Sequence, residues 1–169
     1  RESDTLNPGF YFVDSIGFKS IPFDKSLCKE PVEAGSGKIS VLLVEPNKYP
    51  KMIEIDDTLE AMQAVVGGDI EEYMPFEDEV AIICNEEGKI TGMAPNRAVY
   101  EENSREMLDI ICGKFFVAYA PFEAERFQSL PPDLAEKYRE KFKYPERFMR
   151  VNNEIVAVPF KPVRADKER

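Results

Sequence analysis

The run Ile39-Ser40-Val41-Leu42-Leu43-Val44 limits the fold more than any other stretch of this chain. It is β-branched and almost wholly apolar, and Glu45-Pro46-Asn47 closes it. Such a run reads as a buried strand. Lys51-Met52-Ile53-Glu54-Ile55 reads as a short second strand. Asp57, with Glu60 three residues on, has the pattern of a helix N-cap and capping box. Leu59, Met62, Val65 and Val66 then share one helical face, and Gly67-Gly68 stops the helix. The helix is expected over Thr58–Val66, with Leu59, Met62 and Val66 buried against a sheet containing Val41 and Leu43.

Ile70–Met74 reads as another strand. Glu79–Asn85 and Lys89–Met93 flank Glu86-Glu87-Gly88, a loop of hairpin length and chemistry. Gly113–Ala120 is strand-like. After Pro131-Pro132, the residues Leu134, Tyr138 and Phe142 recur every four positions, which marks a second helix limited by Pro145. Phe148–Val151 and Ile155–Phe160 flank Asn152-Asn153-Glu154 and read as a C-terminal hairpin. This order lacks the regular βαβα alternation of a doubly wound fold. It predicts an α+β fold: a mixed or mostly antiparallel sheet with one or two helices packed on one face.

Three regions are expected. Residues 1–37 form an aromatic N-terminal extension, with Gly9-Phe10-Tyr11-Phe12-Val13, Phe18 and Phe23 in one or two strands, ending in a Gly35-Ser36-Gly37 linker. Residues 38–145 form the core domain. Residues 146–169 form the hairpin and a charged tail, Lys161–Arg169, expected to be disordered.

Charge is unevenly spread. Residues 38–120 hold 7 Lys and Arg against 17 Asp and Glu, a balance of −10 that equals the net charge of the whole chain. That argues against direct nucleic-acid binding, which needs cations to displace counterions. It fits either simple solubility or attraction to a basic protein. No apolar run approaches the ~20 residues of a membrane span, and no basic segment precedes an apolar one as in a secretory signal. Cys28, Cys84 and Cys112 form no CxxC pair. Cys84 and Cys112 sit in apolar runs and are expected to be buried, unpaired thiols of a cytoplasmic protein.

The chain has no histidine. Ser-His-Asp and Cys-His catalysis and His-ligated zinc are therefore excluded. The stretch Gly35-Ser36-Gly37-Lys38-Ile39-Ser40 falls short of a P-loop: Val32 and Ile39 stand where Gly and Ser or Thr are needed, and a strand follows. The carboxylate groups Glu54/Asp56/Asp57 and Glu77/Asp78/Glu79 read as solvated turns. No catalytic residue, metal ligand or cofactor is assigned. In Ala94-Pro95-Asn96-Arg97-Ala98 the arginine suits an internal ion pair, or a bidentate anchor for a ligand carboxylate or phosphate.

Several of these strings together resemble a known family. They are Val44-Glu45-Pro46, Ile55-Asp56-Asp57-Thr58-Leu59-Glu60-Ala61-Met62-Gln63, Val66-Gly67-Gly68-Asp69-Ile70-Glu71, Cys84-Asn85-Glu86-Glu87-Gly88-Lys89, Pro95-Asn96-Arg97-Ala98 and Asp109-Ile110-Ile111-Cys112-Gly113. With the helix behind Pro-Pro, residues 38 to about 143 resemble a domain-of-unknown-function family of small acidic proteins from bacteria, phages and conjugative elements. The resemblance implies a mobile-element context and brings no catalytic residues with it.

The leading expectation is a non-enzymatic acidic binding protein of a mobile genetic element. Its partner would be a basic host or element protein, such as a defence or DNA-processing factor, met through Glu71, Glu72, Glu77 and Glu79. The alternative is a small-ligand-binding domain with Asn85, Asn96 and Arg97 as polar anchors. A carboxylate metal-dependent enzyme is the least favoured reading.

Overall fold

In the computed structural model, Val41 and Leu42 are both fully buried although they are neighbours in sequence. They belong to different hydrophobic clusters, one on each side of the strand they share. The structure describes residues 11–14, 17–20 and 37–163. Phe10, Phe23, Cys28, Gly35-Ser36 and the tail from residue 164 lie outside the described residues.

The chain divides into two compact units, Arg1–Glu33 and Ala34–Arg169. In the first, β1 (Tyr11–Asp14) and β2 (Gly17–Ser20) pair as an antiparallel hairpin. The second begins with β3 (Lys38–Val44), β4 (Lys51–Asp56), α1 (Leu59–Val66), β5 (Ile70–Tyr73) and β6 (Val80–Asn85). It continues with β7 (Pro95–Tyr100), β8 (Met107–Cys112), β9 (Phe115–Tyr119), α2 (Pro132–Lys141), β10 (Glu146–Val151) and β11 (Glu154–Pro159).

Five strands form one antiparallel sheet in the order β4-β3-β9-β6-β5. The fold is α+β and mostly sheet. Side chains alternate across a strand, and here both alternating sets are apolar. Ile39, Val41, Ile83, Phe116 and Ala118 meet Met62 and Val66 of α1 on one side. Leu42, Val44, Ile82, Phe115 and Val117 meet Tyr138 of α2 and its C-cap residue Phe142 on the other, joined by Val99 of β7 and Ile111 of β8. The two helices therefore lie on opposite faces and do not share one. Among the described residues no helix is long and apolar enough to cross a membrane.

Local chemistry sets the ends of α1. Thr58, in extended conformation, accepts a hydrogen bond from the Ala61 N–H on its side-chain oxygen at 3.2 Å. Thr58 is thus the N-cap, one residue later than expected. Asp57 instead pairs with Arg126 at 3.1 Å. Gly67 ends the helix at φ 80, a left-handed conformation that suits glycine, and its N–H donates to Gln63 O at 2.8 Å. Leu59 is 51% exposed and does not belong to the packed face.

The expected strand Lys89–Met93 is absent. Residues 86–92 form successive turns, with Thr91 N–H donating to Glu87 O and Met93 N–H to Gly88 O. The reason is topological: β6 is already paired on both edges, by β5 and β9, and has no edge left for a hairpin partner. The next strand, β7, pairs with β8 instead. The C-terminal hairpin forms as expected, with Asn152 at φ 49 and Asn153 at φ 67, the positive angles a type I′ turn needs.

Met62 is buried against the sheet. Met62→Ala should lower the free energy of unfolding by roughly 2–5 kcal/mol, whereas Leu59→Ala should change it by less than about 0.5 kcal/mol. Denaturant titration of both variants checks this. Equal losses would mean that α1 does not pack through the Met62 face.

Candidate functional site

Asn96 and Arg97 are each only 1% exposed. In a regular strand two consecutive side chains point to opposite faces. Here Pro95 pairs with Cys112 and Arg97 with Ile111, so Asn96 is the extra residue of a β-bulge in β7. A bulge re-aims side chains, and the two end up side by side: Arg97 Nη1 donates to Asn96 Oδ1 at 2.7 Å.

The pair spends its remaining donors on the backbone. Arg97 Nε donates to Phe142 O at 3.0 Å, Nη2 to Lys48 O at 2.8 Å, and Nη1 also to Asn96 O at 3.1 Å. Asn96 Nδ2 donates to Val44 O at 3.0 Å and to Gly113 O at 2.7 Å. Three separate segments are tied at one point: the β3–β4 turn, the β8–β9 turn and the chain leaving α2. Burial pulls the Arg97 guanidinium down to about 10, opposed by the charge of Glu146. Glu146, at the start of β10, accepts the Ala98 N–H at 2.6 Å, and burial pushes its carboxyl up. No ion pair joins Arg97 to a carboxylate among the described residues.

Arg97 also borders a cavity of about 60 Å³ with Phe76, Phe142, Lys141 and Glu146. The space is large enough to admit water. The guanidinium faces it with four of its N–H groups already engaged.

The segments pinned by the pair carry an unusual cluster at the surface. Glu45, 9% exposed, lies within 3.3 Å of Lys48, 3.5 Å of Lys51 and 3.6 Å of Lys114. Burial pushes the Glu45 carboxyl up, but Lys48 and Lys51 outweigh it and hold the group below the usual carboxylate range. Tyr49, in the same turn as Lys48 and Lys51, meets the Tyr144 ring edge to face at 6.2 Å, and Lys143 Nζ lies 5.8 Å from the Tyr144 ring centroid. None of these residues was singled out from sequence. Lys48, Tyr49 and Lys51 share one turn, but Lys114 and Tyr144 reach it only through the fold.

The structure separates the sequence-predicted site residues. Asn85 is buried at the end of β6; its Oδ1 accepts the Glu87 N–H at 2.8 Å, which shapes the following turn. Glu71 and Glu72 are exposed on β5, an outer strand of the sheet, and Glu77 is exposed in the loop that follows it. Glu79 is committed internally, accepting from Tyr119 Oη at 3.2 Å and the Phe122 N–H at 3.1 Å. Asp78 accepts from Lys137 Nζ at 2.6 Å and Tyr138 Oη at 2.9 Å. Cys84 and Cys112 are unpaired. Cys84 is buried, and burial pushes its thiol up to about 11; Cys112 is only half-buried. Among the described residues no three Cys, Asp or Glu side chains converge where they would hold a metal ion.

A family model described as a domain of unknown function, DUF3846, matches residues 39–143. The chain belongs to the DUF3846 family. The match agrees with the resemblance drawn from the sequence. No curated protein and no solved structure matches the chain. The DUF3846 region takes in all five strands of the sheet, both helices, the Asn96–Arg97 pair and the three lysines. Tyr144 and the β10–β11 hairpin lie beyond it.

Arg97→Ala would strip three backbone carbonyl oxygens and Asn96 Oδ1 of their donor. At about 1–3 kcal/mol for each buried acceptor left unpaired, the variant should lose at least about 4 kcal/mol of stability. Arg97→Lys should recover less than half of that, because an ammonium is a point charge that cannot span three carbonyls. Thermal unfolding of both variants tests the assignment. A fully stable lysine variant would contradict it.

Proposed function

We propose that the chain is a non-enzymatic binding module whose acidic sheet edge engages a basic protein. One observation carries this reading: among the described residues no strand pairs with the outer side of β5, and its two central residues, Glu71 and Glu72, are both exposed. An open edge offers unpaired N–H and C=O groups to an incoming strand, and the carboxylates select for a partner bearing Lys or Arg. Glu77 extends the same negative surface. Glu79 is excluded from it because its carboxylate braces the loop after β9.

On this reading the partner is a basic host or element protein, such as a defence or DNA-processing factor. The setting is the cytoplasm of a cell carrying a mobile genetic element, phage or conjugative. The compartment rests on unpaired cysteines, and the element on the family resemblance.

Contact through exposed charges is screened beyond ~8 Å at physiological ionic strength. Partner association should therefore slow steeply with added salt, while dissociation changes little. The double variant Glu71→Gln/Glu72→Gln should reproduce the high-salt association rate at low salt with an unchanged melting temperature. Surface plasmon resonance against the partner captured from host lysate measures both rates. A double variant that binds like the wild type would sink the acidic-edge reading.

A further inference from the structure

The total charge of −10 argues against contact with phosphates. The fold, however, sorts that charge. Lys48, Lys51 and Lys114 surround the single carboxylate of Glu45. Three positive charges against one negative leave a local surplus of +2. All three ammonium groups lie within 3.6 Å of one carboxylate, so they stand close to one another, and each side chain is more than half exposed. An ammonium has three N–H donors, so each retains donors for a second anion.

The acidic edge is some way off. β5 lies three strands from β3 in the sheet order, or about 14 Å at the usual strand spacing. That exceeds the screening length of ~8 Å. Nearer carboxylates are few. Glu86 and Glu87 follow β6, one strand beyond β9. Glu140 is held by Lys143 at 2.9 Å and 3.1 Å.

One aromatic ring shares the turn with two of the cations, and a second meets that ring. Tyr49, 43% exposed, stands between Lys48 and Lys51 in the turn, and Tyr144, 38% exposed, meets it edge to face. The backbone beneath is fixed. Lys48 O, Gly113 O and Phe142 O are all held by the buried Asn96–Arg97 pair; Lys48 belongs to the cluster, Gly113 precedes Lys114, and Phe142 lies two residues before Tyr144. Clustered cations beside partly open rings, on a rigid base, are the elements of a single-strand nucleic-acid surface: the cations take phosphates and the rings take unstacked bases.

We propose that the turn Glu45–Lys51, with Lys114 and Tyr144, is a binding surface for single-stranded nucleic acid. Contact is to phosphates through the three lysines and to bases through the two tyrosines, without sequence selection. This surface is separate from the acidic edge and does not depend on it.

The test is fluorescence anisotropy of a labelled oligothymidylate of about twelve nucleotides, within the usual site size of single-strand binders, titrated with the full chain at about 0.1 M salt and above. The wild type should bind with a log–log salt slope near −2, since three phosphate contacts contribute about 0.7 each on a single strand. The triple variant Lys48→Gln/Lys51→Gln/Lys114→Gln should weaken binding at least about ten-fold and bring the slope close to zero. Tyr49→Ala should weaken binding by about ten-fold while leaving the slope unchanged, the mark of lost stacking. A duplex of the same length should bind more weakly than the single strand. The lysine variant should melt somewhat lower than the wild type, because Glu45 loses its three partners. Circular dichroism must therefore show it folded at the temperature of the titration, and a folded variant that binds as before counts against the proposal. The proposal fails if the wild type gives no anisotropy change, or if the lysine variant binds as well as the wild type. It also fails if the lysines instead drive salt-sensitive self-association with no oligonucleotide bound.

Discussion

A guanidinium with almost no exposure to water governs this domain. Burying a charge is expensive unless its hydrogen-bonding groups are matched. Arg97 meets that condition with backbone carbonyls and the Asn96 amide oxygen in place of a carboxylate. The acceptors come from Lys48, Phe142 and Asn96 itself, and Asn96 adds Val44 and Gly113. Turns that in most proteins are held only by their own residues are here fastened to one another from beneath. A bidentate carboxylate could have neutralised Arg97, but it would not have bound three chain segments together. The bulge in β7 makes this possible by placing two consecutive polar side chains side by side.

The sheet imposes a second constraint. Its central strands are buried on both faces, by α1 on one side and by α2 with β7 and β8 on the other. The five-stranded sheet thus has its central strands covered on both faces, whereas the separate β10–β11 hairpin leaves Met149, Ile155 and Val156 exposed. In the five-stranded sheet, exposed chain is found chiefly at the edge strands and at the strand ends, where the turns emerge. The negative charge of Glu71 and Glu72 lies on an edge, and the positive charge of the lysines lies at the strand ends. A domain with so negative a total can therefore present two surfaces of opposite sign. Each follows from where the sheet leaves chain exposed.

Much of the framework was legible in the sequence because it rests on local pattern. The apolar run of β3, the four-residue spacing of Leu134, Tyr138 and Phe142, and the Asn152-Asn153 turn each report a structure made by neighbouring residues. What sequence did not reveal depends on distant contacts. Asp57 and Thr58 are both good caps, and the choice was decided by Arg126, far along the chain, which takes Asp57. Lys89–Met93 has strand-like residues, but its intended partner is occupied on both edges. Arg97 in an acidic segment suggests an ion pair or a ligand anchor; only the fold brings Lys48 O and Phe142 O to it. The lysine cluster is invisible in one dimension, since Lys114 joins Lys48 and Lys51 through the pairing of β3 with β9.

The central claim is that Arg97 is a closed internal fastener, and hydrogen exchange at its guanidinium examines that directly. By nuclear magnetic resonance, the Arg97 Nε–H should be protected to the degree of core amides and open only with global unfolding. Its two Nη groups should give separate resonances because rotation is blocked. A freely rotating guanidinium whose Nε–H exchanges as fast as that of an exposed arginine would contradict the account.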